Sequence, residues 1–301
     1  MGIFSFNKKD VEPIYHKDES NLNIRDGKHF FENCNNITIS GKAVVLETTS
    51  TSFNSISGKA KVHVFNSGKI KVLGGKAVIG MVKDGKIVKV VKKAQITTVN
   101  SCEIDYLKDK SKIGTFNSGY IKFIDDKSRV TTFNNGSILY VRNNARIGTI
   151  IQGTILALED NAHVTTIMNG KIDYVLNKAV VGTINNGEID KVCDNAKICS
   201  QNNGTIKLLM GNANLDAQIE GSVDVQEGDS QITYSQGGSN NFSVTLPLKQ
   251  QSVRNLEEPE DENQEASSGE ESQNLQPNEE NLAPDEAENK PAESIETKPA
   301  E

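Results

Sequence analysis

Two carboxylates, Asp173 and Asp190, stand seventeen residues apart in matching contexts, Lys-Ile-Asp-Tyr-Val and Glu-Ile-Asp-Lys-Val. Carboxylates ~5 Å apart are the pair a retaining glycosidase uses, one as nucleophile and one as acid. They work only inside a cleft that holds a sugar and keeps water out, so their meaning depends on their surroundings. The four histidines, His16, His29, His63 and His163, are scattered, and the four cysteines, Cys34, Cys102, Cys193 and Cys199, include no Cys-x-x-Cys pair. Neither set has ligand or nucleophile spacing, and without a cysteine framework a reducing compartment is the default. Lysine is the chemically active residue that does recur. Lys42, Lys59, Lys76, Lys93, Lys110 and Lys127 follow one another at intervals of seventeen, and Lys178 rejoins the series later. Two places on, Lys61, Lys112, Arg129, Arg146 and Lys197 form a second basic row. Such a row is either a solvated corner that discourages lateral sheet pairing or an edge facing a polyanion: a membrane, an acidic glycopolymer or an acidic stretch of the chain itself. Nucleic acid is disfavoured, because no aromatic interleaving or known module accompanies it.

The element that positions all of these is a repeat. Glycine returns every seventeenth residue at Gly119, Gly136, Gly153, Gly170, Gly187, Gly204 and Gly221. Nine residues after each anchor lies Ala or Ser, from Ala43 through Ala145 to Ser230, and two further on an aliphatic, from Val45 through Ile147 to Ile232. A fixed period near twenty is the signature of a solenoid, in which each coil packs only on its neighbours. Apolar positions are β-branched and separated by Asn, Asp and Gly corners, which fits strands and turns rather than a 3.6-residue period. The reading is an all-β, single-stranded parallel β-helix, roughly triangular, of about twelve 17-residue coils with three short strands each, over residues 22–248. All seven prolines, Pro13 and six from Pro247 onward, lie outside it, as a stacked sheet requires. Asn36 and Thr48 interrupt the inward aliphatics early; Gln201, Gln218, Gln226 and Ser235 do so late.

The repeat decides how the chemistry reads. It never lengthens into a loop that could wall a cleft, so Asp173 and Asp190 lie one rung apart on a bare face, and the chain is expected not to be an enzyme and to need no cofactor. Thr98, Thr115, Thr132, Thr149, Thr166 and Thr183 form a hydrogen-bonding ladder, and Asn100, Asn117 and Asn134 an amide ladder. Tyr106, Phe123, Tyr140 and Tyr174 share one column, a lateral contact stripe if outward and core if inward; the expectation is core or half-buried.

The net charge of −7 hides a division. Residues 249–301 carry 16 acidic and 4 basic side chains, leaving 24 acidic and 29 basic in residues 1–248. The acidic segment has no aromatic residue and many prolines, so it reads as a disordered tail. Residues 1–21 read as a flexible leader whose first nine could bind a bilayer interface, with Ile3, Phe4 and Phe6 as wedge and Lys8 and Lys9 on anionic headgroups. No capping helix is evident, so open coil ends would invite another end to stack, while the polar substitutions in the end coils argue the other way, as solubility caps; the sequence leaves both readings open. The final alternating strand places Phe242, Val244 and Leu246 on one face as a contact.

The recurrent Gly136-Ser137-Ile138, Ala145-Arg146-Ile147 and Gly153-Thr154-Ile155, the Phe/Lys leader and the low-complexity tail together resemble the bactofilins. The resemblance spans residues 1–248, with a core longer than is usual for that family. It implies a right-handed helix, a cytoskeletal homopolymer formed end to end without nucleotide, and a cytoplasmic location on the inner face of the membrane through the N-terminal peptide. It also implies a role in organising cell-envelope proteins or shape determinants, with Phe242 best matching the family's polymer-contact aromatic. The alternative is a monomeric solenoid, adhesin- or effector-like, that binds through the basic corner or the Tyr column.

Overall fold

A computed structural model describes residues 12–242. They form one 26-stranded sheet wound into a β-solenoid of about 13 turns, with every strand pairing parallel and no helix among the described residues. From Val44 onward the register is seventeen residues per turn: Ile138 pairs with Ile155, Ile155 with Ile172, Ile172 with Ile189, and Ile189 with Ile206. Identical columns of Ile and Val therefore stand on one another along the interior, and nearly all are fully buried.

A typical coil contains two strands, such as Ser137–Val141 and Arg146–Ile150. In each, the second and fifth residues point inward: Ile138 and Val141, then Ile147 and Ile150. A regular strand would put the second and fourth on one face. The broken alternation means that each strand bends between its inward residues. The third wall expected from the sequence is thus the second half of a bent strand, since Thr149 and Ile150 continue the strand that begins at Arg146.

Two corners separate the strands. At one, a left-handed residue starts every turn: Gly41, Gly58, Gly75, Lys92, Asp109, Asp126, Asn143, Asp160, Asn177, Asp194, Gly211 and Gly228 all have positive φ. Asp and Asn suit this corner because their side chains also hydrogen-bond locally. Oδ2 of Asp109 accepts from the Lys92 amide at 2.6 Å, and Oδ2 of Asp126 from the Asp109 amide at 3.1 Å, tying adjacent coils together. Where Ser replaces the following Ala, its hydroxyl donates to backbone carbonyls, as Ser128 does to Leu107 and Asp125. At the other corner sits the anchor glycine. A Cβ at Gly119 would lie 2.3 Å from the Cys102 carbonyl oxygen, and one at Gly170 would lie 2.4 Å from Cγ2 of Ile150. Close coil stacking excludes a side chain at these two positions, while Thr51 and Cys102 occupy the same column in other coils.

The solenoid starts earlier than expected, at Ile14 rather than near residue 22. The strand Ile14–Lys17 pairs with Lys28–Glu32, and Asn23–Ile24 with Ile37–Ile39. These first offsets are fifteen residues, and register shifts at His29/Phe30 and Ile37/Thr38 restore the longer pitch. The same shifts correct the reading of Asn36. It is exposed with φ 58°, while Ile37 and Ile39 fill the interior.

Candidate interaction surfaces

The basic corner is built as the spacing implies. Lys42, Lys59, Lys76, Lys93, Lys110 and Lys127 each follow the left-handed corner residue, and all six are exposed. Lys61, Lys112, Arg129 and Arg146 are exposed in the neighbouring column. Among the described residues, none of these ten cations has a carboxylate within ion-pair distance. Lys92, Lys93, Lys110 and Lys127, with Asp109, Asp126 and Asn144, line a shallow depression of about 610 Å³. Its two carboxylates are turned to the backbone, as described above. Lys197, counted in the second row from the sequence, differs: it is paired with Asp216 at 2.7 Å.

Asp173 and Asp190 do lie one rung apart, since their neighbours Ile172 and Ile189 pair directly. They belong to an ion network in which Lys171 reaches Asp190 at 2.7 Å and Asp173 and Glu188 at 3.3 Å, while Lys207 holds Glu188 at 2.7 Å and Asp190 at 2.8 Å. Burial opposes ionisation of Asp190, but hydrogen bonds from Lys171 and Lys207 outweigh it and bring the carboxyl down to about 2. A general acid needs a pKa raised toward the working pH. This network does the opposite.

The aromatic column points outward and still escapes water. Tyr106, Phe123 and Tyr140 stack with centroids 5.2 and 5.4 Å apart and nearly parallel rings. The Arg142 guanidinium lies 4.6 Å over Phe123 and forms a bidentate pair with Asp125, and Lys108 covers Tyr106 at 4.7 Å. Phe123 is only 2% exposed as a result. Further along, Tyr140 and Tyr174 pack with Leu208 on a small external cluster of Ala157, Leu176, Cys193 and Met210. The half-buried expectation matches, but the covering residues were missed. The available signal was Asp125 and Arg142, opposite charges one repeat apart beside the aromatics.

Among the described residues the cysteines make no reactive site. All four cysteines are free. Burial pushes the Cys102 thiol up to about 12 and the Cys193 thiol up to about 11, so both stay protonated near neutral pH. Ile3, Phe4, Phe6, Lys8, Lys9, Val244 and Leu246 lie outside the described residues. The backbone of Phe242 ends the last strand, opposite Gln226 across a register shift. The expected Asn ladder is present, with Asn117 donating to Asn100 at 3.0 Å and Asn134 to Asn117 at 2.6 Å.

The first coil holds a group that the spacing did not reveal. His16 stacks on Phe31 at 4.8 Å, lies 3.1 Å from His29 through ring nitrogens, and meets Glu19 at 3.0 Å. Beside it Tyr15 stacks on Phe30 at 4.6 Å. His16 and His29 thus pack on Phe31 beside the exposed Tyr15 and Ile14. No family model, curated protein or solved structure matches this chain, so the likeness to bactofilins rests on the repeat and its flanks alone.

Proposed function

We propose that the chain is a non-enzymatic scaffold whose solenoids stack end to end into filaments without nucleotide. Held at the inner face of the cell membrane, such a polymer would organise cell-shape or cell-envelope factors. The observation that carries this reading is the N-terminal end of the stack. Ile14 occupies the inward column continued by His29 and Val45, yet it is 52% exposed. Among the described residues, the strand Ile14–Lys17 is paired along one edge only, and so are Gln231–Ser235 and Ser239–Phe242 at the other end. Open strand edges over an apolar cross-section invite another strand. The two ends differ chemically, so joining them is a head-to-tail contact that propagates instead of closing.

A second reading has its own support. Near the C-terminal end, Gln218 and Asn240 exchange hydrogen bonds at 2.9 and 2.8 Å, and Ser235 donates to Gln218 at 3.2 Å. That network satisfies polar groups as a cap would, which suits a monomeric binding rod using the basic corner or the Tyr106 column. Ultracentrifugal pelleting and electron microscopy of the pure protein without nucleotide separate the two. Filaments are expected, and Ile14→Arg or Phe242→Arg should return the protein to the supernatant with its β-sheet circular dichroism intact. A stable monomer at high concentration would sink the scaffold reading.

A further inference from the structure

We infer that the lysine corner is the side of the rod that lies against an anionic lipid surface. The inference rests on the membrane part of the reading above and is independent of end-to-end assembly. Because the coils stack in strict register, the lysines from Lys42 to Lys127 form a straight row, ~24 Å long at ~4.8 Å per rung. With the exposed Lys61, Lys112, Arg129 and Arg146 alongside, the row widens into a band.

Three features separate this band from an ordinary solvated corner. Among the described residues its cations have no carboxylate partner, whereas several lysines elsewhere on the rod, though not Lys69, Lys71, Lys83, Lys178 or Lys191, are engaged: Lys86 with Glu103 and Asp105, Lys171 and Lys207 with the Asp190 network, and Lys197 with Asp216. The nearby carboxylates of Asp109 and Asp126 are directed at backbone amides and so are partly withdrawn from the lysines. Lys92 holds φ 63° at a position where the other coils place Gly, Asn or Asp, an unfavourable backbone angle that adds a cation at the middle of the row.

The shape and composition of the band select the partner. Phosphates of duplex DNA wind about an axis, and a straight row meets few of them. Single-stranded nucleic acid is held by stacking on aromatic rings. The exposed large apolar residues, Ile14, Tyr15, Ile151, Met168, Ile219 and Tyr234, all lie outside these columns. What remains is a wide, purely electrostatic contact, as anionic headgroups offer. The row starts at Lys42, in the N-terminal coils, and further on gives way to Asn144, Asn161, Asn195 and Asn212, broken only by Lys178, so the contact belongs to the N-terminal half of the rod.

The test is co-sedimentation of the full chain with vesicles of phosphatidylcholine, with and without phosphatidylglycerol, at low and high salt. The intact protein is expected to bind the anionic vesicles at low salt and to be released at high salt. Each lysine near an anionic surface is worth about five-fold in affinity, so the variant Lys76→Glu/Lys93→Glu/Lys110→Glu/Lys127→Glu should bind at least about a hundred-fold more weakly. The Glu variant should keep the parent's β-sheet circular dichroism and thermal midpoint, which excludes a folding defect, and the matching Lys→Arg variant should bind like the parent. Binding of the Glu variant equal to the parent, while Phe4→Ser/Phe6→Ser abolishes it, would overturn the corner and leave the N-terminal peptide standing. Equal binding to neutral vesicles, or preference for duplex DNA or polyphosphate at equal charge, would overturn the lipid assignment. Loss of vesicle binding in the Glu variant alone would support the corner and count against the peptide.

Discussion

The two halves of the solenoid share a backbone and its aliphatic columns and differ in one inward column and at the charged corner. One inward column runs Thr48, Phe65, Val82, Val99, Phe116, Phe133, Ile150, Ile167, Ile184, Gln201, Gln218 and Ser235 in direct register. It passes from rings to aliphatics to amides. The corner changes in the same direction, from lysine to asparagine. The coil is set by backbone ladders, corner angles and the small residues at the anchors, none of which depends on what a column holds. Column chemistry is therefore free to follow what each half must do. The N-terminal half combines a tight aromatic interior with a row of corner lysines that have no carboxylate partner among the described residues. The C-terminal half replaces apolar burial with hydrogen bonds, such as those from Gln201 to the Gly204 and Ser222 carbonyls at 2.9 and 3.0 Å.

The largest expected effect tests that contrast directly. Phe116 is fully buried against Phe133 at 5.6 Å, and Phe116→Ala leaves a cavity that should destabilise its coils by ~3–5 kcal/mol. Gln218→Ala in the same column removes amide hydrogen bonds and should destabilise by only ~1 kcal/mol. Because a solenoid can open locally, native-state hydrogen exchange strand by strand is the suitable measurement. Equal losses at the two positions would break the contrast between a ring-packed half and an amide-bonded half.

The columns were legible in the sequence because a coil buries the same positions each time, so Ile138, Ile155 and Ile172 announce themselves by spacing alone. What escaped was whatever departs from that period or depends on side-chain reach. The coil at Ile14 was hidden because its offset is fifteen residues, and the same irregularity moved Asn36 to the wrong side. Two bent strands read as three walls because Ile147 and Ile150 each mark an inward point, and spacing does not say whether a corner or a bend lies between them. The lysine row was legible as a row. That its members are unpaired while Lys171 and Lys207 are not depends on where Asp190 and Glu188 sit in the next coil. The Arg142 cover over Phe123 likewise comes from a neighbouring rung.

A smaller change should strengthen the N-terminal half. Thr48 stands in the inward column between Phe31 and Phe65, fully buried, and its hydroxyl has no hydrogen-bond partner. A buried hydroxyl without a partner costs ~1–3 kcal/mol, so Thr48→Val should raise stability by about 1 kcal/mol or somewhat more. The urea midpoint of the first coils reads this out. A loss of stability would mean that the hydroxyl finds a partner in solution, and the N-terminal interior would then resemble the amide half more than the comparison allows.

The smallest effect concerns charge and separates the halves by pH. The Asp190 carboxyl is held at about 2 by Lys171 and Lys207, below its ordinary value of 3.8. A carboxyl depressed in the folded state contributes stability that is complete above pH ~4 and fades as pH falls toward ~2. The network is partly exposed, so Asp190→Asn should cost under about 1 kcal/mol at neutral pH. That difference should shrink between pH 4 and 2, as the parent carboxylate itself becomes protonated. The unpaired lysines of the other half have no such partner, so replacing Lys93 with Gln should shift stability little, and equally at both ends of that window. A deficit in the Asn variant that persists unchanged at pH 2 would mean that shape, and not charge, holds the wall around Asp190. Charge would then no longer distinguish the Asp190 network from the lysine corner.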